Sequence, residues 1–102
     1  MNNEEQIDIN IAIEYMKQDM VECLKTANIA FERKDLSTNR YFIGMACGNK
    51  NSLKLFGREV RFEYEWAVDG RAYVKSMLID GIETVMADLE ENCEEKKEEM
   101  KL

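Results

Sequence analysis

The side chains best suited to chemistry in this 102-residue sequence are carboxylates crowded toward one end. Asp88, Glu90, Glu91, Glu94, Glu95, Glu98 and Glu99 form one acidic run. Oxygens of this kind can hold Mg²⁺ or Ca²⁺, but the Asp/Asn, Gly and terminal Glu spacing of an EF-hand loop is missing. On a helix, Glu90/Glu94, Glu91/Glu95 and Glu95/Glu99 stand four apart and repel slightly, and only Glu94/Lys97 and Glu98/Lys101 offset this. The simplest reading is a solubilising surface. The functional reading is an acidic patch that docks on a basic partner.

Catalytic constellations are scarce. Histidine is absent, which removes the usual general base near neutral pH and the commonest zinc ligand. Ser/His and Cys/His nucleophile pairs are therefore excluded within the chain. Gly44 and Gly48 do not have the spacing of a phosphate-cradling loop. Cys23, Cys47 and Cys93 are odd in number with no CxxC pair, so reduced, buried thiols in a cytoplasmic protein are expected. The expectation is a non-enzyme with no cofactor and no metal site.

Two further sets of side chains invite a ligand. Arg40, Lys50, Lys54, Arg58, Arg71 and Lys75 would gather a small anion if the fold brought them to one edge; otherwise they are scattered surface cations. Phe62, Tyr64, Trp66 and Tyr73 resemble a base-stacking platform, but four aromatics on one strand face of a small domain are ordinary core. Glu59, Glu63 and Glu65 flank Arg61 on the other face and would spoil a groove for a polyanion.

The elements that must position these groups are partly legible. From Glu59 to Val68, Val60, Phe62, Tyr64, Trp66 and Val68 alternate with polar residues, the period of a half-buried strand. Asp69-Gly70 suits a two-residue type I′ turn, which would set Trp66 opposite Tyr73. Upstream, Ile9, Ile13, Met16, Met20, Leu24, Ala27 and Phe31 follow steps of three and four, predicting a helix over about 9–33. Lys34–Asn39 reads as a polar connector. Residues 40–47 and 52–56 read as short strands about a Gly48–Asn51 turn, with a mostly helical reading as the alternative. The second long helix begins either after a Ser76 cap or after a strand continuing to Ile79 with Asp80 as cap, and carries Ile82, Met86, Leu89 and Cys93. The expected fold is a single α+β domain over 1–102: an N-terminal long helix, a four-stranded antiparallel β-meander and a C-terminal long helix, with 1–6 and 95–102 frayed. A roughly 37 Å first helix would overhang a sheet about 19 Å wide, and its apolar stripe runs to Phe31. A homodimer is the expected cover.

Charge points to the partner. The net charge is −7, with the middle of the chain mildly basic and both flanks acidic. Acidic faces repel nucleic acid and membrane phosphates and attract basic protein surfaces. No apolar run approaches the ~20 residues of a membrane helix, and the polar start MNNEEQ is not expected to be a signal peptide. In composition alone, the short chain, acidic helices, many methionines and missing catalytic residues are similar to small phage-encoded inhibitors of bacterial defence. Anti-CRISPR proteins are among these, and some of them mimic nucleic acid with acidic surfaces. That resemblance implies a cytoplasmic binding protein whose acidic helices, including Asp88, Glu90, Glu91, Glu94, Glu95, Glu98 and Glu99, occupy a basic surface on a protein. The alternative expectation is an oligomer that sequesters a small anionic ligand through Arg40, Lys54, Arg58, Arg71 and Lys75.

Overall fold

The computed structural model describes residues 3–87, with side chains from Asp8 onward. It is α+β, with the order α1 (Asn3–Glu32), α2 (Leu36–Leu55), β1 (Val60–Trp66), β2 (Ala72–Ile79) and β3 (Ile82–Val85). The three strands form one antiparallel sheet in the order β1-β2-β3.

α1 follows the amphipathic stripe. Ile13, Met20, Leu24 and Ala27 are buried, while Ile9, Met16 and Phe31 are half-buried. The helix ends where Lys34 adopts a left-handed φ of 59°. Asp35 N–H then donates to Ala30 C=O (2.9 Å) and Lys34 N–H to Phe31 C=O (3.1 Å), the paired bonds of a Schellman cap. Asp35 at once caps the next helix, its carboxylate accepting from Thr38 N–H at 3.1 Å.

α2 replaces two of the expected four strands. Its buried positions, Asn39, Ile43, Ala46 and Leu53, are spaced four, three and seven apart, a helical stripe. The stripe is hard to read because it includes an Asn and an Ala. Gly48, which suggested a turn, and Gly44 both lie in the helix interior, where each costs about 1 kcal/mol relative to Ala. Packing along α1 offsets that loss. The predicted connector shrinks to residues 33–35, since Leu36–Asn39 already belong to α2.

β1 keeps the expected alternation, but its turn differs. Ala67 N–H donates to Arg71 C=O and Gly70 N–H to Ala67 C=O, which closes a three-residue loop of Val68, Asp69 and Gly70. Gly70 alone has positive φ there, at 96°, the pattern of a type I turn followed by a bulge. Trp66 therefore faces Ala72 rather than Tyr73. A second irregularity follows: Glu63 faces Ser76 and Tyr64 faces Val74, leaving Lys75 as the additional residue of a bulge.

The type I′ turn occurs instead at Asp80-Gly81, with φ of 51° and 84°, between paired Ile79 and Ile82. β2 thus continues to Ile79, one of the two readings of the sequence. Asp80 is not a helix cap, and Ile82–Val85 is a strand rather than the start of a second helix. Asp80 N–H donates to Glu59 C=O (2.8 Å) and its Oδ1 accepts from Glu59 N–H (3.1 Å), which holds the unusual backbone in place. Met86 and Ala87 have helical backbone. The remainder of the expected C-terminal helix, with Leu89 and Cys93, lies outside the described residues.

Both helices pack on one face of the sheet. Met20, Leu24, Leu53, Val74, Met77 and Met86 are fully buried between them. Replacing such a Leu by Ala costs about 2–5 kcal/mol. The Phe31 end of α1 is covered within the chain: its ring meets Tyr73 edge-on at 5.5 Å, and the Arg71 guanidinium lies 4.9 Å from its centre. The overhang expected at Phe31 is therefore closed by the hairpin.

Candidate functional site

Two features of β2 decide what the helices can present. β3 pairs only with Ser76–Ile79, so Ala72 and Val74 have no neighbouring strand on that side. Two buried amides take its place. Asn28 of α1 accepts from Val74 N–H and donates to Val74 C=O, both at 2.9 Å. Asn39 of α2 accepts from Ala72 N–H and donates to Ala72 C=O, both at 2.8 Å, and its amino group also reaches Ala27 C=O. Unpaired buried peptide groups are costly, so these contacts fix the rotation of both helices about their axes. The outward faces of α1 and α2 follow from that.

The outward face of α1 is acidic and carries apolar side chains. Asp8, Ile11, Tyr15, Gln18 and Glu22 recur at helical spacing, all exposed, with Glu14 and Asp19 on either side. Tyr15 is 68 % exposed and Ile11 48 %, and exposed Ile29 continues the line, so the apolar groups on this face recur along one stripe. Asn10, Ile11, Glu14, Tyr15 and Gln18 line an open groove of about 570 Å³. Glu14 and Glu22 pair with Lys17 (3.5 Å) and Lys25 (3.4 Å) one turn on. Exposed pairs of this type contribute little and are easily exchanged for a partner's cation. The expected acidic residues Asp88, Glu90, Glu91, Glu94, Glu95, Glu98 and Glu99 all lie outside the described residues.

The candidate basic residues are spread and internally engaged. Arg40 donates to Gly70 C=O and lies 5.5 Å over the Trp66 ring. Arg71 binds Asp69 through Nε (2.7 Å) and Phe31 C=O through Nη1. Both stand at the β1–β2 turn. Arg58 pairs with Asp80 (3.2 Å) beyond the other end of β1, about 20 Å away at strand rise. Lys54 is exposed in the last turn of α2, and Lys75 stands on the bulge 3.9 Å from Glu65.

The aromatic row is partly roofed by α2. Lys50 sits 5.2 Å over Phe62, the Cys47 thiol lies 3.6 Å from the Tyr64 hydroxyl, and Arg40 covers Trp66. Burial, with the Cys47 thiol beside it, pushes the Tyr64 phenol well above its ordinary pKa. Burial, aided by Asp19 and Glu22, likewise raises the Cys23 thiol. A raised thiol holds less thiolate, which fits a packing role rather than a nucleophile. Cys93 is outside the described residues.

Among the described residues no group of three or more His, Cys, Asp or Glu could hold a metal ion. No helix of the described residues is long and apolar enough to cross a membrane. Comparison with protein-family models, with curated proteins and with solved structures finds no match.

Sequence reasoning reached the acid-rich character of the helices but missed the Ile11–Tyr15 line. The signal was there: two apolar residues four apart, off the core stripe. Asn28 and Asn39 gave no signal, because a buried amide and a solvated one look alike in sequence.

Proposed function

We propose that this chain is a non-catalytic binding protein that occupies a basic surface of a protein partner, acting as a cytoplasmic homodimer. The supporting observation is the outward face of α1, where Ile11 and Tyr15 stand exposed among Asp8, Glu14, Asp19 and Glu22. An aromatic anchor ringed by one sign of charge is how protein interfaces combine affinity with steering. In sequence, the run from Asp88 to Glu99 is also rich in acids. The compositional similarity to phage-encoded inhibitors of bacterial defence favours a partner among nucleic-acid-handling proteins, whose basic surfaces an acidic helix can occupy in place of the polyanion.

The alternative, sequestration of a small anion by Arg40, Lys54, Arg58, Arg71 and Lys75, draws less support. Arg58 and Arg71 lie at opposite ends of β1, and each already holds a carboxylate.

The test is capture of basic proteins on the immobilised chain at low ionic strength. Retention should fall steeply with salt, and should be lost on the combined changes Tyr15→Ala, Glu14→Lys and Glu22→Lys, or on reversing Glu90, Glu91, Glu94 and Glu95 to Lys. Retention indifferent to salt and to both variants would contradict the proposal.

A further inference from the structure

We propose that the free edge of β1 is the dimer seam: two copies pair β1 to β1, antiparallel about a twofold axis at Glu63, and join their sheets into one of six strands. This rests on the homodimer reading above and supplies its interface.

The direction of the backbone groups comes first. Ala72 and Val74 turn their N–H and C=O groups away from β1, toward Asn39 and Asn28. In an antiparallel ladder the residues opposite such positions also turn theirs away. Trp66 and Tyr64 stand opposite, and strand alternation adds Phe62 and Val60. At the other end Ile79, opposite Val60, closes the Asp80-Gly81 turn against Ile82, which gives the same assignment. No described residue pairs with this edge. Natural edge strands are commonly blunted by proline, by a bulge or by charged side chains, which repel a second copy unless opposite signs meet. β1 has no proline, its bulge lies on β2, and its outer face carries both signs.

The second argument is self-complementarity. Pairing centred on Glu63 engages all seven residues and places Arg61 opposite Glu65 of the second copy, twice by symmetry. The same register sets Phe62 opposite Tyr64 and Val60 opposite Trp66, whose ring is 57 % exposed in the single chain. Shifting the centre to Phe62 brings Glu59 against Glu65, and shifting it to Tyr64 brings Glu63 against Glu65. Opposite charges directly across a strand pair attract and like charges repel. The Glu63 register sets two Arg61–Glu65 attractions against one Glu63–Glu63 repulsion. The Phe62 register sets two Arg61–Glu63 attractions against two Glu59–Glu65 repulsions, and the Tyr64 register has two Glu63–Glu65 repulsions, so the Glu63 register is favoured. Glu63 itself meets its own copy, with Ser76 Oγ donating to its carboxylate at 3.2 Å.

Sedimentation equilibrium tests this with charge swaps. Within the chain Arg61 faces Leu78 and Glu65 faces Tyr73, so neither swap removes a contact of the core. Wild type should be a dimer. Arg61→Glu and Glu65→Arg should each weaken association by about 10-fold or more. Mixing the two variants should restore it, because each then meets its opposite. A wild type that is monomeric at 100 µM would overturn the homodimer and the seam together. A dimer untouched by either swap, or one not restored on mixing, would overturn the seam and leave the homodimer standing.

Discussion

Asn39 holds Ala72 as a neighbouring strand would, with Oδ1 accepting from its N–H and Nδ2 donating to its C=O, both at 2.8 Å. Asn28 does the same for Val74 two residues along. Two helices thereby finish a sheet edge that β3 is too short to cover. Asn39→Ala or Asn28→Ala would strand both main-chain groups of one buried residue, at about 1–3 kcal/mol for each group. We expect each variant to lose about 2–6 kcal/mol in urea unfolding followed by Trp66 fluorescence, with exposed Asn51→Ala losing nothing measurable.

Lys34 stabilises nothing through its left-handed backbone; its φ of 59° is imposed by the cap that ends α1. The cap that ends α2 uses Gly57 at the same position, with Arg58 N–H donating to Leu53 C=O. Lys34→Gly should therefore raise stability by about 1 kcal/mol, visible as a higher urea midpoint at unchanged slope.

Acid should weaken the fold from a defined pH. The Thr38 side chain and N–H hold Asp35 below the ordinary carboxylate range, Arg71 does so for Asp69, and the Glu59 N–H together with Arg58 does so for Asp80. A depressed folded pKa gives stability that is complete above the unfolded value, about 3.9 for Asp, and is lost as pH falls through the folded values. Stability measured by urea should thus stay flat from neutral pH to about 5 and decline below about 4. In Arg71→Met the Asp69 contribution to that decline should shrink, since only the hydrogen bond from the residue 71 N–H then remains.

The Tyr64 phenol should resist ionisation. Tyr64, buried beside Cys47, should ionise only together with unfolding. Absorbance at ~295 nm against pH should show an ionisation that coincides with unfolding, and Tyr64→Phe should remove that part of the change.

How far the sequence foretells this fold is seen by comparing its two Asp-Gly pairs. Both carry the composition of a type I′ turn, yet only Asp80-Gly81 adopts it, because Glu59 holds Asp80 through its backbone and carboxylate together. At Asp69 the carboxylate instead accepts from Arg71 N–H and Nε, and its φ stays negative. A tertiary contact decides between them, and local composition does not carry it. α1 and β1 were legible since their periods are long and clean. α2 was not: its buried stripe includes Asn39, whose burial depends on Ala72, a residue 33 positions away. The acidic character of the outward face of α1 was readable from charge, whereas Ile11 and Tyr15 became conspicuous only when the amide contacts fixed which side of α1 faces outward.

The most direct test of a protein-binding role is native mass spectrometry of chain purified gently at low ionic strength. The expected spectrum shows whole multiples of the 11.9 kDa chain, free of small adducts and accompanied by complexes with a basic polypeptide that salt removes. A stoichiometric small anionic adduct, retained in salt and lost on changing Arg58 or Arg71, would contradict it.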